Sequence, residues 1–324
     1  MGSRYLARRI VQAILTIVGI VLLNFLLFRA MPGSPERVLM RNPNLSAEVL
    51  SAQRAKWGLD KPLIPDQLVT YVTSTLQLDF GESYKYRSQP ALDVIAGRIW
   101  PTLILFGLGE AIAITVGLLL GAYTGWRRGG PVDYVGNGLS LVLYSMPYFL
   151  LGMILLVVFA SNLGWFPSSG MFTLGATYDS WFDRLLDFGS HLFLPLAAVT
   201  LGLIGQYSIL MRSSVMETRS EDYVQTARAK GIKDGRVLRR HAVPNALLPT
   251  ISLIGINLGF IIAGAITVEV VFSWPGLGTL TQEALSSRDY PLLQGIFFIL
   301  AVSVVFANLG ADIIYGFLDP RVKS

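Results

Sequence analysis

Six long apolar stretches, separated by polar segments of very unequal length, set the pattern of this chain. They run approximately from Ile10 to Phe28, Thr102 to Trp126, Tyr134 to Leu163, His191 to Met211, Thr250 to Phe272 and Pro291 to Leu318. A bilayer-spanning helix needs about 20 such residues, so the pattern predicts an all-α polytopic membrane protein with six transmembrane helices. Arg4, Arg8 and Arg9 precede the first stretch as they would in a signal peptide. Its apolar run is longer than a typical signal core, however, and Arg29-Ala30-Met31-Pro32 makes a poor cleavage site, so a retained span is expected.

The polar segments divide the chain into residues 1–30 with the first span, an insertion over 31–101, and a core over 102–324 carrying a loop at 213–249. Within the insertion, Ala47 to Trp57 ending at Gly58 reads as one helix. Pro65 opens a second that would place Leu68, Val72 and Leu76 on one face. Amphipathic periodicity with Trp57, Tyr71, Phe80 and Tyr84 predicts a folded cap rather than a disordered linker.

The loop holds the most informative polar stretch, Glu221 to Pro249, EDYVQTARAKGIKDGRVLRRHAVPNALLP. Ser220 is a candidate N-cap, Glu221 and Asp222 occupy the first turn, Arg228 and Lys230 the last, and Gly231 is where a helix would stop. A short amphipathic helix on a polar loop suggests a plug for a groove on a partner, with Tyr223, Val224 and Ala227 on the contact face. Gly231 is expected to turn the chain through positive φ before a new helical stretch begins at Val237 and Leu238. Anionic lipid headgroups would take some of the charge on Arg228, Lys230, Lys233, Arg236, Arg239 and Arg240.

Composition agrees with a membrane class, at 52% hydrophobic and 15% charged residues. The net charge of +5 is explained by orientation rather than by nucleic acid, for which there is no soluble basic face. With both termini inside, the inner segments hold 15 Lys and Arg, while the two short outer segments hold only Arg184 and Arg288. The chain has no cysteine, no phosphate-binding G-x-x-x-x-G-K-[ST] loop, no H-E-x-x-H and no G-x-S-x-G. No resident cofactor, metal site or catalytic set is therefore expected, and His241 reads as an interface histidine.

Gly109, Ala113, Gly117, Gly121 and Gly125 recur every fourth residue in the second span, and Gly255, Gly259 and Ala263 repeat the pattern in the fifth. Such faces let helices approach closely, within the chain or against a second subunit. Pro147 is expected to bend the third span or to free a carbonyl toward a cavity. Glu110, Glu269 and Asp312 lie at membrane depth, where an ionisable group is costly and marks a candidate site.

The string QTARAKGIKDGRVLRRHAVPNALLP resembles the EAA loop of ABC importer membrane subunits, whose pattern is E-A-A, three residues, Gly, nine residues, I-x-L-P. Ala227, Gly231 and Pro244 keep that pattern; Gln225, Thr226, His241 and Val243 depart from it. T-A-R-A-K-G followed by R-H-A-x-x-N-A-L-L-P, together with GLDKP (58–62), DFGES (79–83), VEVVFSWPGLG (268–278), RDYP (288–291) and LDPR (318–321), is similar to the first of the two permease subunits of dipeptide and oligopeptide importers. That resemblance implies a type I ABC importer transmembrane domain in a bacterial cell membrane, with an extracytoplasmic insertion after the first helix and both termini cytoplasmic. It implies a homologous second permease, two ATPase subunits or domains that hold ATP and Mg, and an extracytoplasmic binding protein. Tyr223, Val224, Ala227, Arg228, Lys230, Gly231, His241, Pro244 and Asn245 become the expected ATPase-coupling residues, and Met146, Pro147, Asn257 and Gly259 the expected pathway residues. A metal-chelate importer of the same family, such as one for nickel, fits the same signatures. A self-sufficient channel or proton-coupled carrier using Glu110 and Asp312 is an alternative of a different class.

Overall fold

The computed structural model describes residues 3–30, 62–86, 89–263 and 266–318. The expected helix at 47–57, the GLDK residues 58–61 and the terminal residues 319–324 lie outside them. Helix α1 spans Ser3–Ala30, and a short helix α2, Leu68–Leu76, follows a π turn at Leu63–Gln67. Tyr71 of α2 meets Phe25 of α1, with ring centroids 5.5 Å apart. The inward face of α2 is built from Tyr71, Val72 and Thr75; Leu76, expected on that face, is 77% exposed.

Helix α3 runs from Ala91 to Trp126, so the second apolar stretch starts well before Thr102. Pro101 lies inside α3 and does not end it. A proline in a helix leaves a carbonyl one turn back without its usual donor, and here the local packing is stabilised by the buried Trp274 indole, which donates to the carbonyl of Pro101 itself at 2.9 Å.

The third stretch is bent, as expected, and breaks into two helices: α4 (Pro131–Ser145) and α5 (Tyr148–Leu155), the latter continuing as a π turn over Leu156–Asn162. They meet at 101° across Met146 and Pro147. Pro147 opens α5, and its own carbonyl accepts from Leu150 and Leu151 in the first turn of that helix.

Helix α6, Trp181–Arg219, is the long central element. The small-residue stripe of α3 lies along it: a β-carbon on Gly117 would sit 2.7 Å from Tyr207 Cβ, and one on Gly125 would sit 2.7 Å from the Arg212 carbonyl oxygen. The stripe is thus filled by this chain's own α6. Gly202 and Gly205 of α6 receive Tyr148 and Tyr144, which packs both arms of the broken third stretch on the same helix.

After α6 come the short helix α7 (Asp222–Ala229), α8 (Asp234–Val237) with a π turn at Leu238–Ala242, and α9 (Val243–Ala263). Helices α10 (Ile266–Val271), α11 (Leu277–Ser287) and α12 (Tyr290–Leu318) complete the fold. Among the described residues, four helices are long and apolar enough to cross a membrane: those containing Leu6–Phe28, Ala91–Trp126, Trp181–Arg219 and Tyr290–Gly310. The bent α4–α5 pair makes a fifth candidate. Many large apolar side chains on α1 and α4, Leu15, Leu23, Val135 and Leu139 among them, are exposed, as lipid-facing residues are.

At the end of the molecule carrying the α11 helix, two sequence motifs explain each other. Glu269, 1% exposed, accepts from the Thr102 hydroxyl at 2.6 Å and from the backbone N–H of Gly278 at 2.7 Å and Thr279 at 3.2 Å. It caps α11, where a carboxylate meets unpaired N–H groups and the positive end of the helix dipole. A β-carbon at Gly276 would collide with that carboxylate, and one at Gly278 would lie 2.6 Å from Ile266 Cα, which accounts for both glycines of W-P-G-L-G. Asp289, fully buried, accepts from the Ser83 hydroxyl at 2.6 Å and the Lys85 N–H at 3.0 Å, joining the DFGES and RDYP segments.

Candidate coupling and translocation site

The polar loop carries the expected short helix, with two differences. Ser220 does not cap α7; it ends α6, its hydroxyl donating back to the Glu217 carbonyl at 2.7 Å, and Glu221 takes the N-cap position without a side-chain bond. Gly231 has φ +73°, and its N–H closes the turn on the Arg228 carbonyl at 2.9 Å. The next helix begins at Asp234, ahead of the expected Val237.

The larger difference concerns direction. Val224 and Ala227, expected to face a partner, are 0% and 4% exposed and pack with Ala122, Trp126, Met211, Val215, Val237, Ala242 and Ala246. The apolar stripe of α7 therefore seals the loop onto this chain's own α3, α6 and α9. The contact-face assignment of Val224 and Ala227 is corrected accordingly: a short helix buries its few apolar residues on the nearest core, and that core is its own. Tyr223 is 41% exposed, with its hydroxyl hydrogen-bonded to Thr218 at the end of α6. Lys230, Gly231, Pro244 and Asn245 are also exposed, and the Asn245 amide donates to the His241 carbonyl at 2.8 Å.

Trp126, the last residue of α3, ties this loop to the membrane-embedded helices. Its indole N–H donates to Asp234 Oδ2 at 2.7 Å. The guanidinium of Arg228 lies 4.6 Å from its ring centroid and also pairs with Asp234 Oδ1 at 3.2 Å. Arg219 donates to the Trp126 carbonyl at 3.0 Å. One aromatic residue thus connects α3, α6, α7 and α8, through hydrogen bonds of its indole and its backbone carbonyl and a cation–π contact. Arg228 is committed to this joint. On the same side, Arg212 binds Asp133 by two hydrogen bonds of 2.6 and 3.0 Å, fastening the start of α4 to α6.

A second polar group lies within the helices. Glu110, 3% exposed, accepts from the Tyr207 hydroxyl; the Tyr207 oxygen in turn accepts from Asn257 Nδ2 at 2.9 Å, and the same amide donates to Gln206 Oε1 at 3.3 Å. α3, α6 and α9 each contribute to this chain of bonds. Asp312 is elsewhere, paired with Arg9 at 2.9 Å in a cleft between α1 and α12 that Gln12, Thr16 and Asn308 also line. Of the three charges expected at membrane depth, Glu269 is a helix cap, Asp312 an ion-pair member and Glu110 the anchor of a polar network. Among the described residues no group of three or more His, Asp or Glu is arranged to hold a metal ion.

Residues 113–324 match the family described as binding-protein-dependent transport system inner membrane component, and residues 2–103 match the N-terminal region of such membrane components. The chain belongs to this family. The permease is 35% identical to the oligopeptide transport system permease protein AppB of Bacillus subtilis over 321 residues, 99% of each chain. It is 36% identical to the glutathione transport system permease protein GsiC of Salmonella typhi over 320 residues, 98% of each. Its fold is similar to a chain of an inward-facing MetNI methionine ABC transporter, with a TM-score of 0.58 at 15% identity, over 72% of this chain and 99% of the other.

Met146 and Pro147 sit at the break between α4 and α5, whose flanking tyrosines pack on Gly202 and Gly205 of α6, and Asn257 of α9 bonds to Tyr207 of α6, so the expected pathway residues that are described lie beside one stretch of α6. Gly259 lies on α9, and its surroundings are outside what the structure describes. Trp126, Asp234, Gln206 and Tyr207 were not anticipated. Their only signal in the sequence was polarity or an aromatic at the end or middle of a span, which does not identify a partner 50 or more residues away.

Proposed function

We propose that this permease is the membrane-spanning subunit of an ABC importer for peptides. Six spans, with α9 and α10 forming the fifth, would pair with a homologous permease, and separate ATPases and an extracytoplasmic binding protein would complete the complex. The observation that carries the cargo assignment is the full-length similarity to peptide-transport permeases, AppB among them. Both termini lie in the cytoplasm in this reading, as the distribution of Lys and Arg favours.

Mechanistically, the ATPases press on the outward side of the α7 loop, where Tyr223, Lys230, Gly231, Pro244 and Asn245 are available, and closing on ATP moves that loop. Because Val224 and Ala227 are packed into α3, α6 and α9, and Trp126 is bonded to Asp234, displacement of the loop displaces the spans with it. The path then alternates between outward-facing and inward-facing states, and hydrolysis resets it. The chain supplies the path and the lever, while ATP and Mg bind on the ATPases.

Reconstitution with its partner permease, ATPases and binding protein tests the proposal. Uptake of labelled di- to pentapeptides that depends on ATP and on the binding protein is expected. Uptake of a nickel chelate in place of peptides would replace the cargo assignment, and transport by the purified chain alone under a proton gradient would overturn the ABC reading.

A further inference from the structure

Asn257 and Gln206 sit side by side on α9 and α6, both partly exposed. The direction of every hydrogen bond in their network is set from its buried end. The Glu110 carboxylate accepts from Tyr207, so the Tyr207 oxygen is left as an acceptor and takes one N–H of Asn257. Asn257 also donates to Gln206 Oε1. Both N–H groups of Asn257 are then used, as is the Gln206 carbonyl. What the pair has left to present is the Asn257 Oδ1 acceptor beside the Gln206 Nε2 donors.

One acceptor beside one donor is the complement of a peptide group, which offers an N–H and a C=O of its own. Two neutral amides at membrane depth are costly against lipid and are stable facing water, a ligand or a partner subunit. Gln206 directly follows Gly205 and is one turn from Gly202, the two glycines on which Tyr144 and Tyr148 of the broken third stretch pack. We infer that Gln206 and Asn257 form a binding site for the peptide backbone within the permease, held in register by Tyr207 and Glu110. Resting on the proposed peptide cargo, this site reads the amide group and ignores side chains, as a path for peptides of many sequences must.

The test exploits the absence of cysteine in the chain. In the full complex with cysteine-free partners, Gln206→Cys gives a single thiol. A water-soluble maleimide is expected to label it, and transported peptide at saturating concentration to slow labelling several-fold. A second measurement reads transport itself. Gln206→Met should lower peptide uptake about tenfold, the loss of one substrate hydrogen bond, and Asn257→Leu, which also loses its bonds to Tyr207 and Gln206, should lower it by at least as much. A thiol that never labels, or labelling that peptide does not slow in an assembled complex that still hydrolyses ATP, overturns the site. If the wild-type complex moves no peptide, the cargo proposal fails instead, and its uptake control separates the two failures.

Discussion

Trp126 donates its indole N–H to the Asp234 carboxylate at 2.7 Å, so the end of a long apolar helix is bonded to the first turn of the short helix α8 within the polar loop. Arg228 completes the joint by touching both, over the ring of one and on the other oxygen of the second. Trp126→Phe keeps the packing and removes only the donor. A hydrogen bond to a charged group contributes about 2 kcal/mol, and losing it loosens the loop without unfolding the spans. We expect ATP hydrolysis to remain near wild type in the reconstituted complex while peptide moved per ATP falls several-fold. Unchanged stoichiometry would show that force does not pass through this bond.

Gly231 occupies positive φ, where a β-branched side chain costs about 1–2 kcal/mol. Gly231→Val should therefore insert normally, as seen by membrane fractionation, yet hydrolyse ATP with little uptake. Transport at the wild-type rate would remove this turn from the coupling path.

Gly276→Ala places a methyl group against the Glu269 carboxylate and uncaps α11. A buried carboxylate that loses its donors costs about 2–3 kcal/mol. The expected result is a lower unfolding temperature of the detergent-solubilised permease, with Thr102→Val shifting it in the same direction by less.

Ser83 and Asp289 form a buried hydrogen-bonded pair across 206 positions of sequence. Ser83→Ala and Asp289→Asn should be non-additive in a double-mutant cycle, with a coupling of about 1–2 kcal/mol. Additive effects on chemical denaturation would mean that the two segments are held together by their apolar neighbours alone.

Glu283 of α11 responds to pH. Burial alone would raise its pKa, but the hydrogen bonds it accepts from Lys85 and Tyr86 outweigh burial and hold it below the ordinary carboxylate value. A carboxylate with a depressed pKa stabilises the folded state above its unfolded pKa of about 4.3. That stability fades as pH falls through the lower folded value. Hydrogen exchange at residues 83–86 should therefore quicken as pH drops below about 4, after correction for the intrinsic rate, and Glu283→Gln should remove the dependence.

How far the sequence could be read depended on how local each signal was. Runs of about 20 apolar residues located four long apolar helices and the bent α4–α5 pair, and Gly231 marked its turn, because both follow from neighbouring residues. Pro147 marked a break, but the 101° between α4 and α5 depends on Gly202 and Gly205 accepting two tyrosines, which only packing reveals. Val224 and Ala227 give the same periodicity whether a helix faces a partner or its own core, so the direction of α7 was not legible. Ser220 has the right chemistry for an N-cap, yet the end of the preceding helix used it first. The Trp126–Asp234 and Tyr207–Asn257 contacts join residues 108 and 50 positions apart, beyond any local pattern.

The Ser83–Asp289 pair also crosses the border between the two family regions, residues 2–103 and 113–324. Those regions are not interchangeable parts. A hybrid that takes its first hundred residues from a relative inherits one half of a lock, and an ill-matched half leaves Asp289 buried without its donors. Exchanges that carry residues 79–86 and 283–291 together keep both halves. Recombination between permeases of different cargo should therefore succeed or fail on these few positions more than on overall identity.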